Sequence, residues 1–148
     1  AIVFAAGAGP GSGAERKQTV DLGGAVALIE AARAAGVDRY VMVSSIGADR
    51  PEEGQGPMRS YLQAKADADA ALRASDRAWT IVRPVALVDE PGTGRVTVAE
   101  HVDHRGTVTR DDVAAVLAAL LVDGAAVGRI IEVASGDTPI AEALAPFA

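Results

Sequence analysis

Apolar positions along the chain follow two periods. "AIVFAA" (residues 1–6) is a continuous apolar run stopped by glycine, the pattern of a strand buried on both faces. From 15 to 35 the spacing turns helical, with Val26, Ile29 and Ala32 on one face, and Gly36 stops it. "RYVMVSS" (39–45) reads as a second buried strand and "IGADRPEEGQG" (46–56) as a polar loop. A helix over 57–74 opens at a proline, as first turns allow. Residues 80–82 of "AWTIVRP" predict a third strand, closed by Pro84, with Trp79 in the core. A long loop with strand-like pieces "VTV" and "GTVT" leads to a helix over 111–122. "RIIEVA" then predicts the last strand and "IAEALAPF" a terminal helix. Strands alternating with helices imply parallel βαβ units with right-handed crossovers, hence an α/β fold. With 148 residues and no repeat, low-complexity tract or linker, the chain reads as a single domain over 1–148.

Composition narrows the function classes. With no cysteine, disulfides, thiolate metal sites and cysteine nucleophiles are excluded. A net charge of −6 argues against a nucleic-acid partner, which needs a basic face. No apolar stretch reaches membrane-spanning length and no signal-peptide pattern is present, so no membrane partner and a cytoplasmic location are expected. The chain begins at Ala1, inside a predicted strand and without methionine.

The stretch "AIVFAAGAGPGSGAERKQ" contains Gly9, Gly11 and Ala14 in the pattern G-x-G-x-x-A between a strand and a helix. Such loops let backbone amides approach a pyrophosphate at a helix N-terminus. Pro10 removes one of those amides, and the second strand ends in "VSS" where an acidic residue is expected. On this evidence a flexible loop at the carboxyl edge of a strand is the plainer reading.

Tyr61 and Lys65 in "SYLQAK" stand four apart on a predicted helix and share one face. An ammonium one turn away stabilises tyrosinate and pulls a phenol of pKa about 10 toward working pH. Such a tyrosine passes a proton to or from a substrate oxygen. Ser44 and Ser45 end a predicted parallel strand, the edge where open α/β sheets place ligands. A surface tyrosine, a solvated lysine and strand-end serines would produce the same pattern, and spacing alone leaves both readings open.

The segments "VFAAGAG", "TVDLGGAVALIEAARAAGVDRYVMVSSIGAD", "YLQAKADADAALRAS", "WTIVRP" and "TRDDVAAVLAALL" run in an order that resembles atypical short-chain dehydrogenase/reductases. The NmrA-like and NAD(P)-dependent epimerase/dehydratase-like Rossmann proteins are the nearest group. The resemblance spans nearly the whole chain. It implies a partial Rossmann-like doubly wound parallel sheet with flanking helices, corresponding to the C-terminal two-thirds of the family fold. "VFAAGAG" then resembles the fourth strand and its loop beside the adenosine, not the phosphate cradle. The family's glycine fingerprint would lie in some 60 or more residues ahead of Ala1.

The same resemblance implies residue roles. Tyr61 would be the general acid/base. Lys65 would lower its pKa and hold the nicotinamide ribose. Ser45, or Ser44, would bond the substrate oxygen. Asp21 would stand at the tetrad asparagine position. Ala6 and Gly7 would lie along the adenosine, Ser44 with the cofactor, and Pro84 with Val85 near the carboxamide. NADP is the implied cofactor, with NAD as the alternative, and the substrate is a small molecule.

Other clusters read more plainly. Glu100, His101, Asp103 and His104 lack helical placement or a distant third ligand, so a solvated loop is expected and no metal. The loop "ADRPEEG" is a candidate substrate lid, and Arg110–Asp111–Asp112 a helix start. Three function classes follow: an oxidoreductase or epimerase using Tyr61, a non-catalytic NADP-binding sensor or regulator of NmrA type, and an inactive fragment that self-associates into a homo-oligomer through an exposed sheet edge or core face.

Overall fold

The computed structural model describes residues 1–148. Strands β1 (Ile2–Phe4), β2 (Arg39–Val43), β3 (Ala78–Pro84) and β7 (Arg129–Ser135) pair in parallel in that spatial order. Each is an apolar run because both faces are covered. Tyr40, Met42 and Ile81 point to one face and pack with Phe4, Ile29, Ala32 and Leu72. These come from β1 and from helices α2 (Ala25–Ala34) and α3 (Pro57–Arg73). Val41, Val82, Ile131 and Val133 point the other way, against Val113, Val116 and Leu120 of α4 (Arg110–Asp123) and Leu144 of α5 (Ile140–Leu144). The alternation thus sets helices on both faces of a mainly parallel sheet.

Sequence patterning differs from the structure in three places. β5 (Arg95–Ala99) pairs antiparallel with β7, and the two-residue β8 (Thr138–Pro139) extends that edge, so "RIIEVA" is followed by one more strand. The other strand-like piece is β6 (Thr107–Thr109), which pairs with β4 (Ala86–Val88) in a separate ribbon. The predicted helix over 15–35 is composite: α1 (Ala14–Arg16), a π-helical stretch Lys17–Gly24, then α2. Its end is as expected. Gly36 takes φ +64°, and the amides of Gly36 and Val37 return to Arg33 and Ala32, a Schellman closure that favours glycine.

One clamp fixes the loop before β5. Thr109 caps α4 by accepting from the Asp112 amide. The Asp112 carboxylate accepts from the amides of Thr93 and Gly94 and from the Thr93 hydroxyl. Gly92 comes so close that a Cβ there would lie 2.8 Å from Asp111 Cβ. Burial of Asp112 opposes its ionisation, but these donors outweigh burial and hold the carboxyl below its ordinary value. A depressed carboxyl stabilises the fold above its unfolded pKa and loses that contribution as pH falls through the folded value. Asp112→Asn is therefore expected to destabilise by about 1–3 kcal/mol at pH 7. Thermal melts should show the gap to wild type closing below about pH 4; a gap independent of pH would contradict the charge assignment.

Candidate functional site

The carboxyl ends of β1 and β2 converge with the first turns of α3. α3 starts directly after Gly56, with Pro57 in its first turn, and presents Tyr61, Lys65 and Asp69 along one face at four-residue steps. Lys65 is 5% exposed. Its ammonium lies 3.1 Å from Asp21 Oδ1, donates to the Val43 carbonyl at 3.3 Å and stands 5.7 Å from the centre of the Tyr61 ring.

Asp21 is fully buried within the π-helical stretch, a type of insertion often found at functional sites. Its second oxygen accepts from the Ala8 amide at 3.1 Å, in the loop that leaves β1. A side chain at Gly7 would place Cβ 3.3 Å from Asp21 Oδ1, so a larger residue there would press on the carboxylate by a few tenths of an ångström. Ala6 and Gly7 are exposed at this edge. Gly9 and Gly11 both take φ +76°, and the Gly9 carbonyl accepts from the Ser12 hydroxyl.

The two serines of "VSS" part company. The Ser45 hydroxyl donates to the Ile46 carbonyl at 3.1 Å. Ser44 is buried and faces Asp69 on the α3 side of the sheet. Burial pushes the Tyr61 phenol above its ordinary value; the Ser45 contact opposes that and the Asp21 charge adds to it. Pro84 ends β3 and its carbonyl accepts from the Ile46 amide. Val85 is 2% exposed and packs in the α4-side core, so its backbone alone borders this edge.

Three charged residues that pattern reading passed over lie beneath. Arg83 sends Nε and Nη2 to Asp69 Oδ2 at 3.2 and 2.9 Å and stands 3.6 Å from Asp49. Burial raises the Asp69 carboxyl despite Ser44, Arg83 and Lys65. Glu132, level with Arg83 on β7, is 1% exposed and accepts from the Val102 amide, with His104 Nε2 at 3.0 Å and His101 Nδ1 at 3.7 Å. His104 is thus half-buried against a buried carboxylate, while His101, near the other oxygen, stays 81% exposed as a solvated loop residue. No group of three or more His, Cys, Asp or Glu side chains is placed to hold a metal ion. The signals were available: Asp69 continues the spacing of Tyr61 and Lys65, and Arg83 and Glu132 interrupt strands that are otherwise apolar.

A dinucleotide has an open approach to this edge. The loop after β1 is open at the carboxyl edge, where α/β sheets take ligands, and Lys65 sits one turn from Tyr61 on the neighbouring helix.

Comparison with known proteins agrees. The model of the NAD(P)H-binding family matches residues 1–124. The chain is 44% identical over 144 residues to the uncharacterised sugar epimerase YhfK of Bacillus subtilis, covering 97% of this chain and 67% of that protein. A candidate NAD-dependent epimerase/dehydratase from Bacillus halodurans superimposes with a TM-score of 0.94 at 44% identity, over 99% of this chain and 69% of that one. The oxidoreductase ylbE from Lactococcus lactis gives a TM-score of 0.84 at 32% identity, over 99% and 66%. The chain therefore spans about two thirds of the length of these relatives. It belongs to the NAD(P)H-binding family, with the Rossmann-like fold of the atypical short-chain dehydrogenase/reductases.

Proposed function

We propose that this chain carries the catalytic edge of an NAD(P)H-dependent oxidoreductase or epimerase acting on a small molecule, with Tyr61 as its acid/base. One observation carries the reading: Tyr61 and Lys65 share a face of α3, with the ammonium 5.7 Å from the centre of the phenol ring, and Lys65 reaches the end of the strand that leads into Ser44 and Ser45. The bound nicotinamide would supply or accept the hydride. Ser45 would hold the substrate oxygen by hydrogen bond while Tyr61 gives or takes its proton. Lys65, anchored on Val43 and Asp21, would present its remaining N–H to the ribose hydroxyls. Ala6, Gly7 and Ser44, with Pro84 and Val85 across the edge, would border the cofactor. NADP is the proposed dinucleotide, with NAD as the alternative, and the cytoplasm the proposed location; no helix is long and apolar enough to cross a membrane.

Fluorescence titration with NADPH, and NADH alongside, is expected to saturate in the micromolar range, the affinity of many cofactor sites. Failure of both to bind would withdraw the cofactor reading. In its place would stand the self-associating fragment, whose melting temperature depends on concentration.

Tyr61→Phe is expected to lower turnover of NADPH against a panel of small aldehydes, ketones and quinones by roughly 10²- to 10⁴-fold. Affinity for NADPH should barely change, since the lost hydroxyl touches substrate. Turnover that survives this change would remove Tyr61 from the chemistry. Saturable binding with no turnover in the wild type would favour the sensor class.

A further inference from the structure

The chain has two histidines, and both stand in the segment 100–106 between β5 and β6, facing one carboxylate. Glu132 of β7 is 1% exposed, and its two oxygens are unequally bonded. Oε2 accepts from the Val102 amide at 2.9 Å and lies 3.0 Å from His104 Nε2. Oε1 is buried with no hydrogen-bond partner, and His101 Nδ1 stands 3.7 Å from it, just beyond bonding distance. A buried carboxylate oxygen without a donor is costly and rare, so this one calls for an explanation. The His101 side chain is 81% exposed, free to turn and to exchange protons with water. A neutral imidazole carries its one N–H on either nitrogen, whereas a charged imidazole donates from both. Protonation therefore guarantees His101 an N–H at Nδ1 and a charge opposite to that of Glu132.

Glu132 has no ion-pair partner other than these two histidines. Arg83 is level with it on β3, but that guanidinium is engaged by Asp69 of α3 and by Asp49. Lys65 of α3 is engaged by Asp21. On the other side, β5 places the uncharged Ala99 opposite Glu132, so the segment begins directly beside the carboxylate. Within the segment, Asp103 accepts from the Arg105 amide. Glu100 faces Arg129 of β7 at 3.5 Å, with both side chains exposed.

We propose that residues 100–106 form a proton-operated strap at the carboxyl edge of the sheet, which charged His101 and His104 fasten to Glu132 and which loosens when they lose their protons. Above the imidazole range the segment is held to Glu132 by the Val102 amide and an uncharged His104, and Oε1 has no donor. As pH falls through the ordinary imidazole value of about 6.5, His104 becomes a charged partner for Oε2. His101 then closes by a few tenths of an ångström and supplies the donor that Oε1 lacks. A histidine whose charged form the folded state favours adds stability below its unfolded value and withdraws it as pH rises. Glu132 is level with Arg83, the residue before Pro84, so the strap runs beside the end of β3. It needs no dinucleotide and is independent of the role given to Tyr61.

The test is hydrogen exchange of the Val102 amide, which donates to Glu132, followed by NMR and corrected for intrinsic exchange at each pH. Its protection is expected to rise roughly tenfold between about pH 8 and pH 5.5, on either side of the ordinary imidazole value. His101→Asn and His104→Asn should each reduce the rise, and the two together should abolish it. Both side chains reach solvent, at 81% and 34% exposure, so these variants are expected to keep the fold. Glu132→Gln, which keeps an acceptor for the Val102 amide but removes the charge, should leave protection constant across the same range. If that variant does not fold, the double histidine variant decides alone. Wild-type protection that does not change with pH would overturn the strap, and so would a rise that survives in the double variant. A full rise in His101→Asn would overturn the pairing of His101 with Oε1.

Discussion

Four parallel strands covered on both faces leave this chain little freedom in where it can put charge. Along β2 and β3 every second residue enters the α2–α3 core and every other the α4 core, so a charged side chain has room only where the strands run out. At that level the amide after β2 still bonds to Val82, and Arg83 is level with Glu132. Ser44, Arg83 and Glu132 therefore form one buried polar row across three adjacent strands, all on the side that α3 covers. The row is the floor of the candidate site. α3 answers it with Asp69 against Arg83, and the loop between β5 and β6 answers it with the Val102 amide and His104 against Glu132. Tyr61 and Lys65 occupy the same helix face two turns and one turn before Asp69, and the floor helps fix how that helix sits.

Much of this frame was legible because it depends on periods the chain displays openly. Apolar runs bounded by glycine or proline gave β2 and α3 nearly their observed limits, and the Tyr61–Lys65 spacing located the helix face that matters. The antiparallel β5 was harder: its alternating burial is the signature of a half-covered edge, which says nothing about direction. The π-helical stretch left no trace, since "KQTVDLGG" has helical spacing whichever carbonyl its amides choose. Partner choice was the least visible feature. Nothing in the spacing of Asp21 and Lys65, forty-four residues apart in sequence, announces an ion pair, and nothing in "EHVDH" announces that His104 meets Glu132, twenty-eight residues on. Contacts between distant segments follow from the three-dimensional path, which periodicity constrains only in outline.

The Asp21–Lys65 pair is hard to explain as a stability device. Taking two charges out of water costs several kcal/mol per ion, and well-packed apolar substitutes in other proteins are often neutral or better. Removing one partner is different, and typically costs about 3–5 kcal/mol, because the other is left buried and uncompensated. A stretch selected for stability alone could have placed an apolar side chain where the fully buried Asp21 stands. Instead the carboxylate is lodged in a locally widened helix, close against Gly7 and bonded by the Ala8 amide of the loop leaving β1. Those supports give the charge a fixed address next to the one lysine of α3. A geometry that is costly to hold and specific in what it touches is better accounted for by what it does to its neighbours. Here the neighbour is an ammonium, and beyond it a phenol.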